Sequence, residues 1–335
     1  MANRLIDYLE RFFALRVAVL GDLMLDRYIF GKASRISQEA PVPVVQVKTI
    51  NAVPGGAANV ARNVLSLGGQ AECLGVVGDD ATGQELKQLL VQDGVGVSAV
   101  CVEPSRKTTL KTRVIANTQQ VVRVDSEDVC CLTADTQQML LGQLQTLLER
   151  QTIDAVIFED YAKGVFSHDF LEKAIALATA AGKPTALDPH PSNVFNVKGL
   201  TLMTPNRAEA FLLAGVPYVS GIGNPLEDEP LCRVGALILD KWDCEYLLIT
   251  LGAEGMAMFS RKQTKPWHIP TMARQVFDVS GAGDTVMATI TLAMLAGASP
   301  EDAAIIANHA AGIVVGMVGT AAVPLEELKK SLLAI

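Results

Sequence analysis

Basic residues are scarce in this sequence of 335 residues. The 28 Lys and Arg residues are outnumbered by 36 Asp and Glu residues, which gives a formal net charge of -8 at pH 7. No block of Lys or Arg stands out along the chain. Because binding to a phosphate backbone needs a basic face, we expect no nucleic-acid partner. A small anionic substrate is compatible with this charge, since a few local cations are enough to bind it.

Cysteine and histidine are also sparse. The six cysteines form no C-x-x-C pair, and the four histidines are scattered without the spacing of metal ligands. These features argue against a disulfide framework and a zinc site. We expect reduced thiols that pack mainly in the core of a cytoplasmic protein.

Long hydrophobic segments are limited to one region. Four charged residues within the first fifteen argue against a signal peptide. Residues 303–325 carry no charge and are numerous enough to span a bilayer. They include Asn308, His309, three glycines and Pro324, a composition that a buried helix explains better. We therefore expect no membrane partner.

Short apolar runs alternate with amphipathic segments through most of the chain. The runs predict buried strands at residues 17–20, 71–77, 155–158, 185–187 and 246–249. The amphipathic segments predict helices at residues 58–67, 82–92, 133–149 and 169–181. This alternation predicts an α/β fold, with a doubly wound, mostly parallel sheet flanked by helices and ligands at the carboxyl ends of the strands.

Two regions interrupt the alternation. Residues 42–47, with Pro41 and Pro43, and residues 108–125 have the pattern of strands without intervening helices. Proline favours an edge strand. We predict a small β-sheet flap formed by inserts near residues 26–50 and 103–125, within a single domain that spans residues 1–335. An exposed edge at residues 42–47 would suit a homodimer.

A glycine-rich turn precedes an apolar helical run at residues 278–285, DVSGAGDT. Small residues allow close approach of a ligand to the backbone, and a helix start presents unpaired N–H groups. The backbone of Gly281, Ala282 and Gly283 would suit the charge of a transferring phosphoryl group. Asp284 would then accept a proton from an attacking hydroxyl. The alternative is that Asp284 only caps a helix.

Two further segments near the N-terminus carry candidate sugar ligands. Gly55 and Gly56 open a helix in which Asn59 can both donate and accept hydrogen bonds. Asp22 and Asp26 follow the first predicted strand, where a carboxylate can accept hydrogen bonds from sugar hydroxyls. The alternatives are a simple tight turn and solvent-exposed loop acids.

Asn206 and Glu209 stand three positions apart at the start of another predicted helix. They share one helix face, and Glu209 could hold a water-bound Mg²⁺ near nucleotide phosphates. A plain capping box explains the same pair equally well.

Together these segments resemble the ribokinase-like, or PfkB, family of sugar kinases. The resemblance implies an α/β body with a flap, ATP, Mg²⁺, Asp284 as base and an anion hole at residues 281–283. It implies sugar contacts at Asp26 and Asn59. It places the nucleotide at Asn206, Glu209, Thr250, Gly252, Gly255 and Asn308. Many members also bind a monovalent cation such as K⁺ near the equivalents of Asp278 and Ser280.

A closer resemblance is to the heptose 7-phosphate kinase branch. It rests on residues 25–28 (LDRY), 34–37 (SRIS), 39–45 (EAPVPVV), 160–164 (DYAKG) and 311–316 (AGIVVG). It implies phosphorylation of the anomeric 1-hydroxyl of D-glycero-β-D-manno-heptose 7-phosphate, on the route to ADP-heptose for lipopolysaccharide. Because the chain ends at residue 335, it resembles members that consist of the kinase alone.

A sugar with its own phosphate needs its own cations. The candidates lie in the predicted flap and at the facing strand end: Arg35, Lys111, Arg113, Arg123 and Lys163. Each of them could equally be a solvent-facing charge. Asp160, in the segment at 160–164, is a further candidate for the sugar site.

Two positions depart from the branch pattern. His190 stands where the branch usually has Lys, and Glu159 stands where it usually has Ser or Thr. Two other functions therefore stay open: a ribokinase-type kinase for another sugar or sugar phosphate, and a catalytically weak sugar-phosphate binding protein. A dinucleotide-binding dehydrogenase is disfavoured, because no G-x-G-x-x-G follows the first predicted strand.

Overall fold

The computed structural model describes residues 1–117, 119–221, 223–263, 265–273, 276–317 and 319–334. Its strands are β1 Arg16–Gly21, β2 Leu23–Ile36, β3 Pro43–Gly56, β4 Gln70–Val77, β5 Gly96–Val102, β6 Thr109–Ala116, β7 Gln119–Ser126, β8 Ala155–Glu159, β9 Thr185–Asp188, β10 Leu202–Met203, β11 Tyr246–Thr250, β12 Met256–Ser260 and β13 Trp267–Ile269. Its helices are α1 Ala2–Leu9, α2 Ala57–Ser66, α3 Ala81–Asp93, α4 Ala134–Glu149, α5 His168–Ala180, α6 Arg207–Ala214, α7 Glu229–Trp242, α8 Ala282–Leu295, α9 Pro300–Val314 and α10 Leu325–Leu333.

The larger sheet has nine strands in the order β13-β12-β11-β10-β9-β8-β1-β4-β5. The strands from β11 to β5 pair in parallel, whereas β12 and β13 are antiparallel to their neighbours. Helices cover both faces, because successive side chains of a buried strand point to opposite sides. In β1, Val17 and Val19 pack in one hydrophobic core, and Ala18 and Leu20 pack in the other. The predicted mostly parallel α/β fold is confirmed.

A second sheet has four strands in the order β3-β2-β6-β7. Strands β2 and β6 are parallel, and the other two pairs are antiparallel. This sheet, hereafter the flap, comes from the two regions in which the sequence predicts strands without helices. The structure adds β2, since the sequence pattern predicts a strand only at residues 42–47 within the first insert. Pairing with β3 and β6 places Asp26 inside a strand, which rules out the alternative of a solvent-exposed loop acid.

Two smaller expectations have mixed outcomes. All six cysteines are free thiols, but Cys130 and Cys131 are exposed and do not fill a core.

Across the described ranges, no helix combines the length and the apolar character that crossing a bilayer requires. The uncharged segment at residues 303–325 is divided between the end of α9 and the connection that leads to α10.

Candidate active site

The first turn of α8 forms the centre of the site. Gly281 precedes the helix with φ of 79°, a left-handed conformation that favours glycine. A Cβ atom there would lie 2.9 Å from Asn59 Nδ2, so a side chain would also clash. At Gly283 a Cβ would meet only Asp188 Oδ2, at 3.8 Å. Small residues therefore leave space beside a helix N-terminus whose backbone N–H groups attract anions.

Asp284 lies in that first turn with 4% of its surface exposed. Its Oδ2 accepts a hydrogen bond from Asn59 Nδ2 at 2.6 Å, and its Oδ1 accepts one from the Tyr161 hydroxyl. Burial raises the pKa of Asp284 above its ordinary value, although both hydrogen bonds oppose the shift. A fixed carboxylate with a raised pKa beside an anion-binding turn is suited to general base catalysis.

The glycines before α2 allow tight packing behind this carboxylate. Gly56 has φ of 58°, and a Cβ there would lie 2.6 Å from the carbonyl oxygen of Asp22. A Cβ at Gly55 would lie 2.4 Å from Asp26 Oδ2. Both glycines thus let the end of β3 pass close to the acids of the neighbouring chain segment.

Asp26 lies within β2 and is 5% exposed. It forms an ion pair with Arg113 of β6, and it accepts a hydrogen bond from Thr320 Oγ1 at 3.1 Å. The guanidinium of Arg113 also lies 5.3 Å from the ring centroid of Tyr28. Arg113, which the sequence suggests as a phosphate ligand, is therefore already paired with the acid predicted to bind sugar.

Asp22 anchors the loop after β8. Its carboxylate accepts hydrogen bonds from the backbone N–H groups of Tyr161, Lys163 and Val165 at 2.8, 3.1 and 3.3 Å. Burial raises the pKa of Asp22 to about 6. These bonds engage both oxygens of Asp22 and place Tyr161 beside Asp284, so the observed contacts of this acid are structural.

Three acids stand side by side at the carboxyl ends of β8 and β9. Asp160 accepts hydrogen bonds from the Ala162 N–H and the Asn193 side chain. Glu159 is aligned with Asp188 in the sheet register. The side chain of Glu159 is fully buried, and neither of its carboxylate oxygens has a hydrogen-bond partner among the described residues.

The pKa of Glu159 is held well above its ordinary value by burial and then by the negative charges of Asp188, Asp284 and Asp160. Burial and the charge of Glu209 raise the pKa of Asp188 in the same direction. Burial and the surrounding negative charges therefore favour the protonated, neutral form of the Glu159 carboxyl group.

Most of the residues predicted to bind the nucleotide lie near the ends of β10 and β11, farther along the sheet from the three acids at β8 and β9. Thr250 ends β11 and forms a bridge with Asn206. Gly252 has φ of 61°, and no atom lies within 4 Å of the place where a Cβ would stand. Gly255 is tightly packed, since a Cβ there would lie 2.0 Å from the Ile269 carbonyl oxygen. Asn308 is buried and donates a hydrogen bond to the Pro270 carbonyl at 2.6 Å.

The capping box at the start of α6 is present. The Asn206 side chain accepts from the Glu209 N–H at 3.0 Å, and Glu209 Oε2 accepts from the Asn206 N–H at 2.8 Å. Burial raises the pKa of Glu209, and the charge of His190 opposes the shift. Within the described parts of the chain, no three His, Cys, Asp or Glu side chains are grouped to hold a metal directly. A contact from Glu209 to Mg²⁺ through water needs no such group.

Asp278 and Ser280 precede the glycine turn. The Asp278 carboxylate accepts hydrogen bonds from the Ser280 N–H at 2.9 Å and from the Gly319 N–H at 3.1 Å. Burial alone would raise the pKa of Asp278, but these donors together with Arg113 lower it. Asp278 therefore favours its ionised form and places a negative charge next to the glycine turn.

The pfkB family carbohydrate kinase model matches residues 14–328. The chain belongs to the pfkB family of carbohydrate kinases. Proteins called bifunctional protein HldE are similar to it: one from Caulobacter sp. (strain K31) is 45% identical over 93% of this chain, and one from Geobacter sulfurreducens is 41% identical over 95%. The chain spans 62% and 63% of the length of these two relatives. The family resemblance drawn from the sequence is confirmed.

Solved structures of the family share the fold. Arabidopsis thaliana ribokinase in complex with ribose and ATP has a TM-score of 0.70 and 21% identity, covering 95% of this chain and 98% of its own. Phosphofructokinase-2 from Escherichia coli in complex with potassium has a TM-score of 0.76 and 20% identity, covering 96% and 98%. These likenesses show the shared fold, and membership of the pfkB family makes the chain a phosphotransferase that acts on a sugar hydroxyl.

The candidate phosphate cations of this kinase do not form one cluster. Lys163 pairs with Glu127 at 2.7 Å, and Lys111 lies near both Asp125 and Glu127. Arg123 of β7 pairs with Asp125 and is half exposed. Arg35 is exposed near the end of β2, where it is aligned with Val44. Lys111 thus shares Glu127 with Lys163 and Asp125 with Arg123.

Several residues of the kinase site were missed by sequence reasoning. The sequence indicates no role for Tyr161, Asp188 or Glu127, although Tyr161 lies in the segment at 160–164 and Asp188 stands two residues before His190. Thr320 links the flap to the body, because it contacts both Asp26 and the Tyr28 hydroxyl. No local pattern identifies Glu127 or Thr320, since their partners are distant in sequence.

Proposed function

We propose that the chain is an ATP-dependent kinase that phosphorylates the anomeric 1-hydroxyl of a heptose 7-phosphate, for the synthesis of ADP-heptose. Membership of the pfkB family supports the sugar-kinase part of this proposal. The similarity to proteins called HldE and the resemblance to the heptose 7-phosphate kinase branch support the choice of sugar.

The placement of Asp284 carries the proposal. Its carboxylate is fixed by Asn59 and Tyr161 at the N-terminus of α8, directly after the glycine turn. As the sugar oxygen forms its bond to the γ-phosphorus, the bond from that phosphorus to the β–γ bridging oxygen breaks and ADP leaves. Asp284 takes the hydroxyl proton. The N–H groups at residues 281–283 stabilise the charge that develops on the transferring group.

The nucleotide side fits ATP. The open space at Gly252 admits a ligand against the backbone. The segments around this space carry the other predicted nucleotide residues: Asn206, Thr250, Gly255 and Asn308. Glu209 would hold Mg²⁺ through water, and the ion would neutralise phosphate charge. Asp278 and Ser280 offer oxygen ligands for a monovalent cation such as K⁺ beside the same turn.

The sugar would lie between the flap and the carboxyl ends of β1 and β8. Asp26, Asn59 and Asp160 offer hydrogen-bonding groups there, while Asp22, Gly55 and Gly56 shape that edge. Lys111 and Lys163 are the cations best placed for the substrate's own phosphate, because they share Glu127 and are largely buried, whereas Arg123, which shares Asp125 with Lys111, is half exposed. A homodimer through the exposed edge strand β3 completes the proposal.

A substrate panel with ATP tests the assignment through coupled ADP release. We expect turnover of heptose 7-phosphate, and much slower turnover of the sugar without its phosphate. Asp284→Asn should lower kcat by roughly 10²-fold or more, the usual worth of a general base. Asp169→Asn, at an exposed position on α5, is the matched control and should keep full activity.

Other outcomes favour the other candidates. Equal turnover of the phosphorylated and unphosphorylated sugars would indicate a general sugar kinase. Binding of the sugar phosphate without ADP release by the wild type would indicate a sugar-phosphate binding protein. Near wild-type turnover by Asp284→Asn would remove Asp284 from the mechanism.

A further inference from the structure

One carboxylate connects the two lysines proposed for the substrate phosphate. Glu127 Oε1 accepts a hydrogen bond from Lys163 Nζ at 2.7 Å, and Glu127 Oε2 lies 3.7 Å from Lys111 Nζ. The three side chains are only 15–19% exposed. Oε2 is itself buried and has no hydrogen-bond partner among the described residues. Glu127 therefore binds Lys163 closely and Lys111 loosely, and Lys111 Nζ has a second acid, Asp125, at 3.4 Å.

The two lysines belong to different elements that meet near the base. Lys111 of β6 is aligned with Asp26 of β2, and Lys163 follows Tyr161 by two residues in the loop that Asp22 anchors. Tyr161 in turn donates to Asp284. The lysine pair thus borders the place where the sugar would lie, without contacting the anion-binding turn at α8.

Glu127 can leave this position at low cost to the fold. It follows the last residue of β7, in a segment from 127 to 133 that has no helix or strand. Moving its side chain breaks no backbone pairing of the flap. When Glu127 is displaced, water readily solvates its carboxylate. The two lysines then gain a phosphate dianion in place of the single charge of Glu127.

We infer that Glu127 determines specificity for a phosphorylated sugar, by acting as an internal anion that the terminal phosphate of the substrate displaces from Lys111 and Lys163. This inference rests on the proposed function. Lys111 keeps Asp125 when Glu127 leaves, but Lys163 loses its close partner. A neutral sugar brings no charge to replace Glu127, so the carboxylate stays in place and excludes the neutral sugar. A phosphate, with three acceptor oxygens, can bind both lysines at once.

The test compares the wild type with Glu127→Gln, which keeps the shape of the side chain and removes its charge. We expect KM for heptose 7-phosphate to fall by about tenfold, with KM for ATP unchanged, because a competing charge-assisted contact is gone. Glu85→Gln, which removes a carboxylate paired with Arg27, is the matched control and should change neither constant. An unchanged or higher KM for the sugar phosphate in Glu127→Gln would overturn the inference.

Inorganic phosphate provides a readout that does not depend on the sugar. By calorimetry, Glu127→Gln should bind phosphate about tenfold more tightly than the wild type, and Lys163→Gln in the same chain should abolish the gain. If heptose 7-phosphate is not turned over but Glu127→Gln binds phosphate more tightly, the inference about Glu127 holds and another sugar phosphate is the substrate. If heptose 7-phosphate is turned over but the gain is missing, Glu127 is only a structural counterion.

Discussion

Replacing Glu159 by Gln should stabilise the kinase at neutral pH. Glu159 is fully buried, and among the described residues no donor meets either of its oxygens. Burial and the charges of Asp188, Asp284 and Asp160 hold its pKa in the folded protein well above the value of 4.5 that it has when exposed. Glutamine has nearly the same shape and no charge to desolvate.

The size of the effect follows from proton linkage. As the pH rises through 4.5 the unfolded chain releases the proton of Glu159, whereas the folded protein keeps it to a higher pH because its pKa is raised. The folded state then binds more protons, so the free energy of unfolding of the wild type falls by about 1.4 kcal/mol per pH unit until the folded pKa is reached. Glu159→Gln removes this loss. Its advantage over the wild type should therefore grow with pH, by about 1.4 kcal/mol per pH unit over the same interval.

Urea denaturation followed by tryptophan fluorescence measures this difference at pH 5, 6, 7 and 8. The control is Glu172→Gln, at an exposed position on α5, for which the difference from the wild type should stay flat with pH. A flat difference for Glu159→Gln would refute the reasoning. It would mean that Glu159 is ionised in the folded protein and has a partner that compensates its charge.

Two further substitutions test the neighbourhood of the base and of the nucleotide. Tyr161→Phe removes a hydrogen bond that favours the ionised form of Asp284, so the acid limb of the kcat/KM profile should move to higher pH while KM for ATP is unchanged. An unshifted limb would show that Tyr161 does not tune the base. His190→Lys places a permanent cation near Glu209. It should lower KM for ATP or for the sugar phosphate, or raise kcat. Steady-state constants that are unchanged for both substrates would exclude a phosphate contact at position 190.

Much of the fold could be predicted because its signals are local. The alternation of apolar runs and amphipathic segments predicts the parallel strands β1, β4, β8, β9 and β11, and all of them are present. The strands β5 and β10 were not predicted. β10 has only two residues, too few for a periodic pattern, and its place in the sheet depends on pairing with β9 and β11.

The sequence by itself determined that Asp284 follows a glycine turn at a helix start, because Asp284 and residues 281–283 are neighbours in the chain and a helix start orients them together. Their roles as base and anion-binding turn stay predictions. Only the tertiary structure decided which partner each charge meets. Arg113 could have met a phosphate but pairs with Asp26, and Lys163 shares Glu127 with a lysine from another strand. Such pairings depend on strand register and burial between residues that are far apart in sequence. A charged side chain can pair with any of several opposite charges, so the residues next to it in the sequence do not predict its partner.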